Sequence, residues 1–471
     1  MRNPVRHSGS RPGRAIRALP ILAAVIAMII ASAPGAPTVK LAKLSVPSFE
    51  RKSLLNGMEV LMLPPGPSHR SFRLMIENGA AFDPVDKWGI THLTTRMLLE
   101  ETEIRSGDLI RRQLESLNAE LEFQVDWDAI YLYGNAPEGN LPAVLGLLGE
   151  IVVRPFFREE TFERLRAQQL EEVENQLKRP EVVTQKAFLA NLFGPNPYGH
   201  GVLGTVETLN NLELRDVKIQ YRKLFLPNQA RLALHTSAQP QDLFRELSRR
   251  WGVWIRAEAA PFTFRRAPAG QGWRILLQDL PGDEALFRWG RLGVEMGSRD
   301  YYALKMLEEY LTLSLPGLAR VVEAEQQIQA SSRVKAFRMP GYLQLSLRTS
   351  SDRLMPYLKE FLQTMSGLRK GEVDSSLMEE ARSLAYLEFR NRLEDPVGRL
   401  TRILDTSLYD LGVTYIVNYG LRLRRVTPED FRKLLMEYLS QDSSLLVVGG
   451  PAADLKPELE ELGPVQISTV H

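Results

Sequence analysis

The sequence contains no cysteine among its 471 residues. This absence excludes disulfide bonds, Cys-ligated zinc, iron–sulfur clusters and thiol catalysis. Long apolar segments are also scarce, because the one long uncharged run lies near the start of the chain. With 44% hydrophobic and 25% charged residues, the rest of the chain has the composition of an ordinary globular protein. The length predicts two or three domains.

Acidic residues are absent from residues 1–17, which hold five arginines, and an uncharged run from Ala18 to Val39 follows them. A basic stretch, an apolar stretch and small residues near position 33 are typical of a secretory signal. We therefore predict a signal peptide over residues 1–38 and a periplasmic or secreted location. An uncleaved anchor in the inner membrane and a mitochondrial presequence are the alternatives.

A basic excess is lacking once that segment is set aside. Removing its five arginines leaves 54 basic and 57 acidic residues, a balance of −3. Nucleic-acid binding needs a basic surface, so this balance argues against it. Serine-hydrolase elbows, phosphate-binding P-loops and a glycine-rich dinucleotide motif after a strand are likewise missing.

Three local patterns recur along the chain at nearly the same interval. They are a strand beginning near residue 57, a helix opened by Leu-Pro at residue 141 and a helix beginning at residue 214. They return 215, 213 and 214 positions later. A constant interval favours duplication of one unit. The alternative is two unrelated α/β domains that share common turn residues.

The repeats divide the chain into an N-terminal domain over residues 44–254 and a C-terminal domain over 272–455. A linker rich in Pro, Gly and Ala separates them at 255–271, and a tail follows at 456–471. Each unit reads as strands, then long helices, then a last strand. This order predicts two homologous, layered α/β domains of the α+β class.

The segment Trp88–Glu100 resembles the metal-binding helix of the pitrilysin/insulinase family of zinc peptidases, whose signature is His-x-x-Glu-His. Further matches to the family extend the resemblance over about residues 44–452. They lie at Leu114–Leu121, Pro155–Phe157, Asn196–Tyr198, Pro281-Gly282 and Asp300–Leu304. The resemblance implies two peptidase-like domains that form a clamshell.

The catalytic motif departs from the family at two positions. His92 stands at the first ligand position, but Thr95 replaces the general base and Arg96 replaces the second histidine. Glu172 stands where the family places its third ligand. A guanidinium has no lone pair for a metal, and a threonine hydroxyl does not take a proton at neutral pH. The resemblance therefore implies no catalytic residue, no bound metal and no family-type peptide hydrolysis.

Two interpretations of these residues stay open at this level. Arg96 either pairs with Glu172 in place of the metal, or points outward while Glu172 lies on a solvated helix. His92 without its partner is expected to be a hydrogen-bonded core histidine. An active enzyme would instead need zinc on His92, Glu172 and a further acid such as Glu100 or Glu101.

Substrate contacts of the family also fall on altered residues. In active relatives an Asn-Ala pair on an edge strand binds an extended peptide, and the matching positions are Glu122 and Phe123. The Arg and Tyr of the family's second domain fall on Glu323 and Ala330. These four residues are the candidate positions for substrate binding.

The resemblance implies a non-catalytic family member without a cofactor. We expect the silent partner subunit of a zinc metalloendopeptidase, or a peptide-binding scaffold in the cell envelope, with membrane contact only through the N-terminal segment. An active metallopeptidase with altered zinc ligands and a purely structural subunit of an envelope complex are the alternatives.

Overall fold

A computed structural model describes residues 39–65, 70–270, 272–315 and 329–467. The chain from Val39 onward forms one compact unit. The predicted signal segment at residues 1–38 lies outside the described residues. Within the described part of the chain, no helix combines the length and the apolar character needed to cross a bilayer.

Two six-stranded sheets organise the molecule. The first has the strand order β1-β2-β6-β3-β5-β4. Its strands are β1 Glu50–Ser53, β2 Glu59–Leu63, β3 Arg70–Glu77, β4 Glu120–Val125, β5 Ala129–Ala136 and β6 Ala230–His235. The second has the order β12-β7-β11-β8-β10-β9. Its strands are β7 Arg274–Asp279, β8 Glu284–Leu292, β9 Gln329–Lys335, β10 Tyr342–Ser350, β11 Leu445–Gly450 and β12 Val465–Ile467.

The strand orders confirm the duplication. Strands β2, β6, β3, β5 and β4 occupy the same places in the first sheet as β7, β11, β8, β10 and β9 in the second. In both sheets the last strand joins the first strand of the repeat in parallel. The outermost strands differ, because β1 runs antiparallel to β2 whereas β12 runs parallel to β7. The prediction of two homologous α+β units is therefore correct.

Helices follow the strands in both halves. The first half contains α1 Ile90–Leu98, α2 Gly107–Ser116, α3 Leu141–Val153, α4 Glu159–Leu177, α5 Pro180–Phe193, α6 Val206–Asn210, α7 Leu214–Leu224 and α8 Pro240–Trp251. The second contains α9 Tyr301–Ser314, α10 Ser351–Lys370, α11 Ser375–Glu394, α12 Pro396–Leu408, α13 Thr414–Val417, α14 Tyr419–Arg424, α15 Pro428–Tyr438 and α16 Ala452–Glu460.

One helix of each half packs on the sheet of the other half. Helix α5 contacts β8 and β11, and α12 contacts β3 and β6. The close approach of α5 requires a glycine, because a Cβ on Gly290 would lie 2.7 Å from the ring of Phe188. Each sheet is thus covered by its own helices on one face and by a helix from the other half on the opposite face.

The predicted linker has neither helix nor strand over residues 255–270, but it packs against the first half. Its Phe262 and Phe264 rings contact Phe82, with centroid distances of 5.9 and 4.9 Å. Aromatic burial of this kind stabilises a fixed path. The predicted helix start at Leu354 is three residues late, because α10 begins at Ser351 and encloses Pro356.

Gly89, which precedes α1, has a φ of +94°, and a Cβ added there would lie 2.4 Å from the carbonyl oxygen of Leu203. We expect Gly89→Ala to lower the free energy of unfolding by about 2 to 4 kcal/mol, from backbone strain and the forced shift of the loop. Urea denaturation measures this change. Gly139→Ala is the matched control, since its Cβ would have no neighbour within 4 Å. Equal stability of the two variants would contradict the prediction.

Candidate functional site

Helix α1 carries the degenerate motif, and a buried carboxylate fixes where the helix begins. Asp83 accepts hydrogen bonds from the backbone N–H groups of Gly89 at 2.8 Å and Thr91 at 3.2 Å. It also accepts from the Thr91 hydroxyl. Burial raises the pKa of Asp83 to about 7, although these hydrogen bonds oppose the change. The carboxylate thus supplies the cap that Gly89 has no side chain to provide.

His92 lies on the face of α1 that turns toward α4, and Gln169 fixes its ring. Gln169 is fully buried, and its amide Nε2 donates to the carbonyl oxygens of Gly89 at 3.1 Å and Leu203 at 3.0 Å. Its Oε1 therefore accepts from His92 Nδ1 at 3.0 Å. This arrangement places the proton of a neutral ring on Nδ1 and leaves the lone pair on Nε2. His92 is hydrogen-bonded as expected, but it is half-buried, whereas a core histidine was expected.

The pKa of His92 is lowered, chiefly because burial disfavours the charged ring. The bond from Gln169 and the charge of Glu172 act in the opposite direction, whereas the charge of Arg96 lowers the pKa further. His92 is therefore neutral at pH 7 and lies within electrostatic reach of the two charged motif residues, Arg96 and Glu172.

Thr95 cannot act on a water molecule in the cleft. Its side chain is fully buried, and its hydroxyl donates to the carbonyl oxygen of Thr91 at 2.8 Å. This bond to the preceding helical turn is common for threonine inside helices. The position of the family's general base is thus occupied by a group that is both non-basic and directed into the helix.

Arg96 does not form the ion pair that one interpretation expected. Its guanidinium donates to Gln168 Oε1 at 3.0 Å, and no ion pair within 4.0 Å joins it to Glu172 among the described residues. Glu172 itself is exposed on α4. The interpretation of Glu172 as part of a solvated helix face is the one that fits. Gln168 lies one helical turn before Glu172 and offers Arg96 a partner that needs no desolvation of a carboxylate.

The two acids from which an altered zinc site would draw its third ligand are already paired with arginines, one within α4 and one directly before it. Glu100 contacts Arg164 at 2.7 Å, and Glu101 contacts Arg158 at 2.5 Å. Both contacts join the end of α1 to α4. Recruiting either acid to a metal beside His92 would require breaking a bridge that holds these helices together.

The residues present do not fit the zinc ion that the family motif implies. A catalytic zinc needs three protein ligands and water, whereas this helix face offers the Nε2 of His92 and a permanent cation four residues later. In the part of the chain that the structure describes, no group of three or more His, Asp and Glu residues is arranged to hold a metal. A charge on Arg96 about 4 Å from a dication would be strongly repulsive.

The three candidate residues for substrate binding that the structure describes lie on two different sheets. Phe123 lies on edge strand β4 with its ring 5.2 Å from that of His92, whereas Glu122 is exposed on the other face of the strand. Ala330 lies on β9 and packs against the core of the second half. Glu323 lies outside the described residues. Of the candidates within the described residues, only Phe123 contacts the degenerate motif.

The loop between α5 and α6 packs on the segment before α1 through His200. The His200 ring stacks on Trp88 at 5.1 Å, and its carbonyl oxygen accepts from Trp127 Nε1 at 3.0 Å. Burial lowers the pKa of His200 to about 4. The ring therefore stays neutral in the folded protein at any pH near 7.

His200 makes stability depend on pH. The unfolded chain takes up a proton near pH 6.5 and the folded chain only near pH 4, so stability falls as the pH drops through this window. Between pH 7 and pH 5 we expect this group to cost about 2 kcal/mol. His200→Phe keeps the stacking on Trp88 and removes the titration. Urea denaturation at both pH values should show a smaller loss for the variant than for the natural chain, and equal losses would refute the assignment.

Gln169 and Asp83 were missed by sequence reasoning although they shape the site. Neither stands at a position of the family motif, and glutamine at helix position 169 looks like any surface residue in a polar run. The only signal was the spacing of 77 residues between His92 and Gln169, three before Glu172. Such spacing does not predict a hydrogen bond without the fold.

The comparisons with known proteins agree with the fold and the motif. Residues 65–206 match the family model described as insulinase, peptidase family M16, and residues 211–384 match the model described as peptidase M16 inactive domain. The chain belongs to this family, the pitrilysin/insulinase family of the sequence prediction. The match to the inactive-domain model begins within the first half and extends into the second.

Individual relatives are distant. A protein named as an uncharacterized zinc protease from Streptomyces coelicolor is 22% identical over 77% of this chain and 80% of its own length. A protease from Helicobacter pylori has a TM-score of 0.79 at 17% identity, and covers 86% of this chain and 100% of its own. A Pseudomonas fluorescens structure titled peptidase M16 inactive domain has a TM-score of 0.76 at 18% identity over 86% and 98%. These structures share the two-domain fold.

Proposed function

We propose that this chain is a non-catalytic member of the family that binds extended peptides, as the silent partner of an active zinc endopeptidase or as a peptide-binding scaffold. The observation that carries the proposal is the state of α1. The helix presents one imidazole, a guanidinium bonded to Gln168 and a buried threonine hydroxyl. Such a surface can contact a peptide but cannot bind zinc and activate water.

Strand β4 supports the peptide-binding part of the proposal. It is the edge of the first sheet, paired with β5 on one side and with no partner on its other side among the described residues. An edge strand offers backbone donors and acceptors that an extended peptide can pair with. Phe123 on this strand places an aromatic side chain beside His92. A bound peptide would therefore run past the degenerate motif.

The partner and the location are part of the same proposal. A basic, then apolar N-terminal segment supports export to the periplasm or retention at the inner membrane. A subunit that binds peptides without cleaving them can hold a substrate for an active peptidase subunit. We therefore propose an active family member with an intact His-x-x-Glu-His helix as the partner.

The test uses the full mature chain, purified from a host that lacks family peptidases. We expect no cleavage of unstructured peptides with or without added zinc, and measurable binding of a fluorescent extended peptide by anisotropy. A photo-crosslinking residue in place of Phe123 should label the bound peptide. The same residue in place of Met436, which is 50% exposed on α15, is the control and should not.

The competing function, an active metallopeptidase with altered ligands, has a distinct signature. It requires stoichiometric zinc and cleavage that a chelator abolishes. It also requires that Glu100 or Glu101 leave Arg164 or Arg158. Chelator-sensitive cleavage lost on His92→Ala would establish it and would refute the silent-subunit proposal. A purely structural role would show neither peptide binding nor cleavage.

A further inference from the structure

An open cavity of about 530 Å³ lies between the two halves, away from the degenerate motif. Helix α5 of the first half forms one wall, and strands β8, β9 and β10 of the second half form the other. The wall contributed by the sheet is unusual for a covered face, because it is polar. Its side chains are every second residue of each strand, on the sheet face opposite to the second half's core.

The duplication shows why the cavity is open. In the first sheet Arg73 is packed between Tyr131 and Tyr133, with its guanidinium carbon 4.2 and 4.7 Å from the two ring centroids. The strand pairing places Arg288 at the position of Arg73 in the second sheet. Gln344 and Ser346 there occupy the positions of the two tyrosines. Replacing two aromatic rings with small polar side chains leaves unfilled volume beside the buried arginine.

The same comparison shows a change of charge. Glu122 and Gln124 on β4 are replaced by Ser331 and Arg333 on β9. The second half has therefore lost an acid and gained a cation on this face. In the first sheet the charge of Arg73 is balanced by an acid in the same row of side chains. In the second sheet the row around Arg288 carries a net positive charge.

Three cations line the cavity without a carboxylate partner. Lys186, Arg288 and Arg333 have no ion pair within 4.0 Å in the described residues. Arg288 is 9% exposed and bonds only neutral groups, Thr184 Oγ1 at 3.1 Å and the carbonyl oxygen of Glu181 at 2.7 Å. Burial lowers the pKa of Arg288 to about 10, so it remains charged at pH 7.

One acid, Glu181, also lines the cavity, and its charge reaches Arg288 without an ion pair within 4.0 Å in the described residues. The Glu181 carboxylate is paired with Arg179 at 2.7 Å. Gln344 adds a second, independent feature, because the side chain is 5% exposed and its Oε1 is buried with no hydrogen-bond partner in the part of the chain that the structure describes. A buried acceptor without a donor is costly and is satisfied by a ligand N–H.

We propose that this cavity is a binding site for a carboxylate of a bound peptide, held by Arg288, Arg333 and Lys186, with a peptide N–H donating to Gln344. The peptide part rests on the proposed function, whereas the charge and the cavity stand on the geometry. Arg333 and Lys186 are the recognition groups that can be removed safely, since neither makes a hydrogen bond or ion pair within the described residues. Arg288 also positions α5 through Thr184.

The test compares three versions of one neutral, extended twelve-residue peptide by fluorescence anisotropy at low salt. One has a free C-terminal carboxylate, one is amidated, and one is amidated with a single internal glutamate. We expect at least one carboxylate version to bind the full chain about tenfold more tightly than the neutral amide, a difference of about 1.4 kcal/mol. Whichever version gains shows whether the terminus or a side chain supplies the carboxylate.

The double variant Lys186→Gln/Arg333→Gln should reduce this preference to less than about threefold while the amide binds as before. Arg112→Gln removes an exposed cation of α2 and is the matched control, expected to retain the full preference. Equal binding of all three peptides to the natural chain would overturn the cavity assignment and leave the proposed function standing. Binding of none of them would overturn both the cavity assignment and the proposed function. A carboxylate preference that the double variant retains would overturn only the cavity assignment.

Discussion

Arg96→Ηis is expected to give this chain a zinc affinity at least about 100-fold higher than that of the natural sequence, a gain of about 2.7 kcal/mol. Imidazoles at positions 92 and 96 would lie on one helix face, one turn apart. The ring of His92 is already oriented by Gln169 with its Nε2 lone pair free. Glu172 lies close enough to raise the pKa of His92 and is exposed, so it can serve as a third ligand.

Competition with a fluorescent zinc chelator measures the gain. Arg96→Gln is the control, because it removes the cation without supplying a ligand and retains the possibility of a bond to Gln168. The control should gain far less than the histidine variant. If both variants bind zinc equally, charge repulsion alone keeps the metal out, and the ligand argument is wrong.

The histidine variant should still not hydrolyse peptides. Thr95 is fully buried and bonded to Thr91, so no carboxylate stands where a zinc-bound water would need its base. Zinc binding without cleavage is thus the expected combination. Cleavage by the variant would show that a base other than residue 95 operates in this cleft.

The second large effect is expected at Asp128, which joins the two halves. Its carboxylate accepts from the hydroxyl of Tyr198 and from the backbone N–H of Arg338 at 2.8 Å, and the side chain is 2% exposed. Asp128→Ala leaves both donors buried and unpaired. We expect a loss of about 3 to 5 kcal/mol in the free energy of unfolding, measured by urea denaturation.

Asp126→Ala is the matched control, because Asp126 is less buried and accepts from the adjacent backbone N–H of Trp127 at 2.8 Å. It should cost about 1 kcal/mol or less. A double-mutant cycle of Asp128→Asn with Tyr198→Phe should give a coupling of about 1 to 3 kcal/mol. Additive effects in that cycle would show that the bond between Tyr198 and Asp128, within the first half, contributes little.

The architecture was largely predictable because the duplicated unit repeats its own turn residues. Leu141 and Leu214 begin helices where the sequence places them, and β6 is the last strand predicted for the first unit. These signals are local and survive in each copy. The exchange of α5 and α12 between the halves was not predictable, because an amphipathic helix shows that it packs but not which sheet it packs on.

The site was predictable only in the identity of its altered residues. Thr95 and Arg96 are visible in the sequence, and their chemistry follows from their side chains. The hydrogen-bond partner of Arg96 was not predictable from the sequence. Gln168 and Glu172 lie one turn apart on α4, so the helical pattern allows either of them to face Arg96. Which of the two receives the guanidinium depends on tertiary packing that the sequence pattern does not encode.

The measurement that tests the central claim most directly is the zinc content of the natural chain, purified without chelator and dialysed against micromolar zinc. Elemental analysis should find well below one zinc per chain, unchanged by His92→Ala. One zinc per chain that disappears in His92→Ala would contradict the account, because it would show that this helix holds the metal despite Arg96.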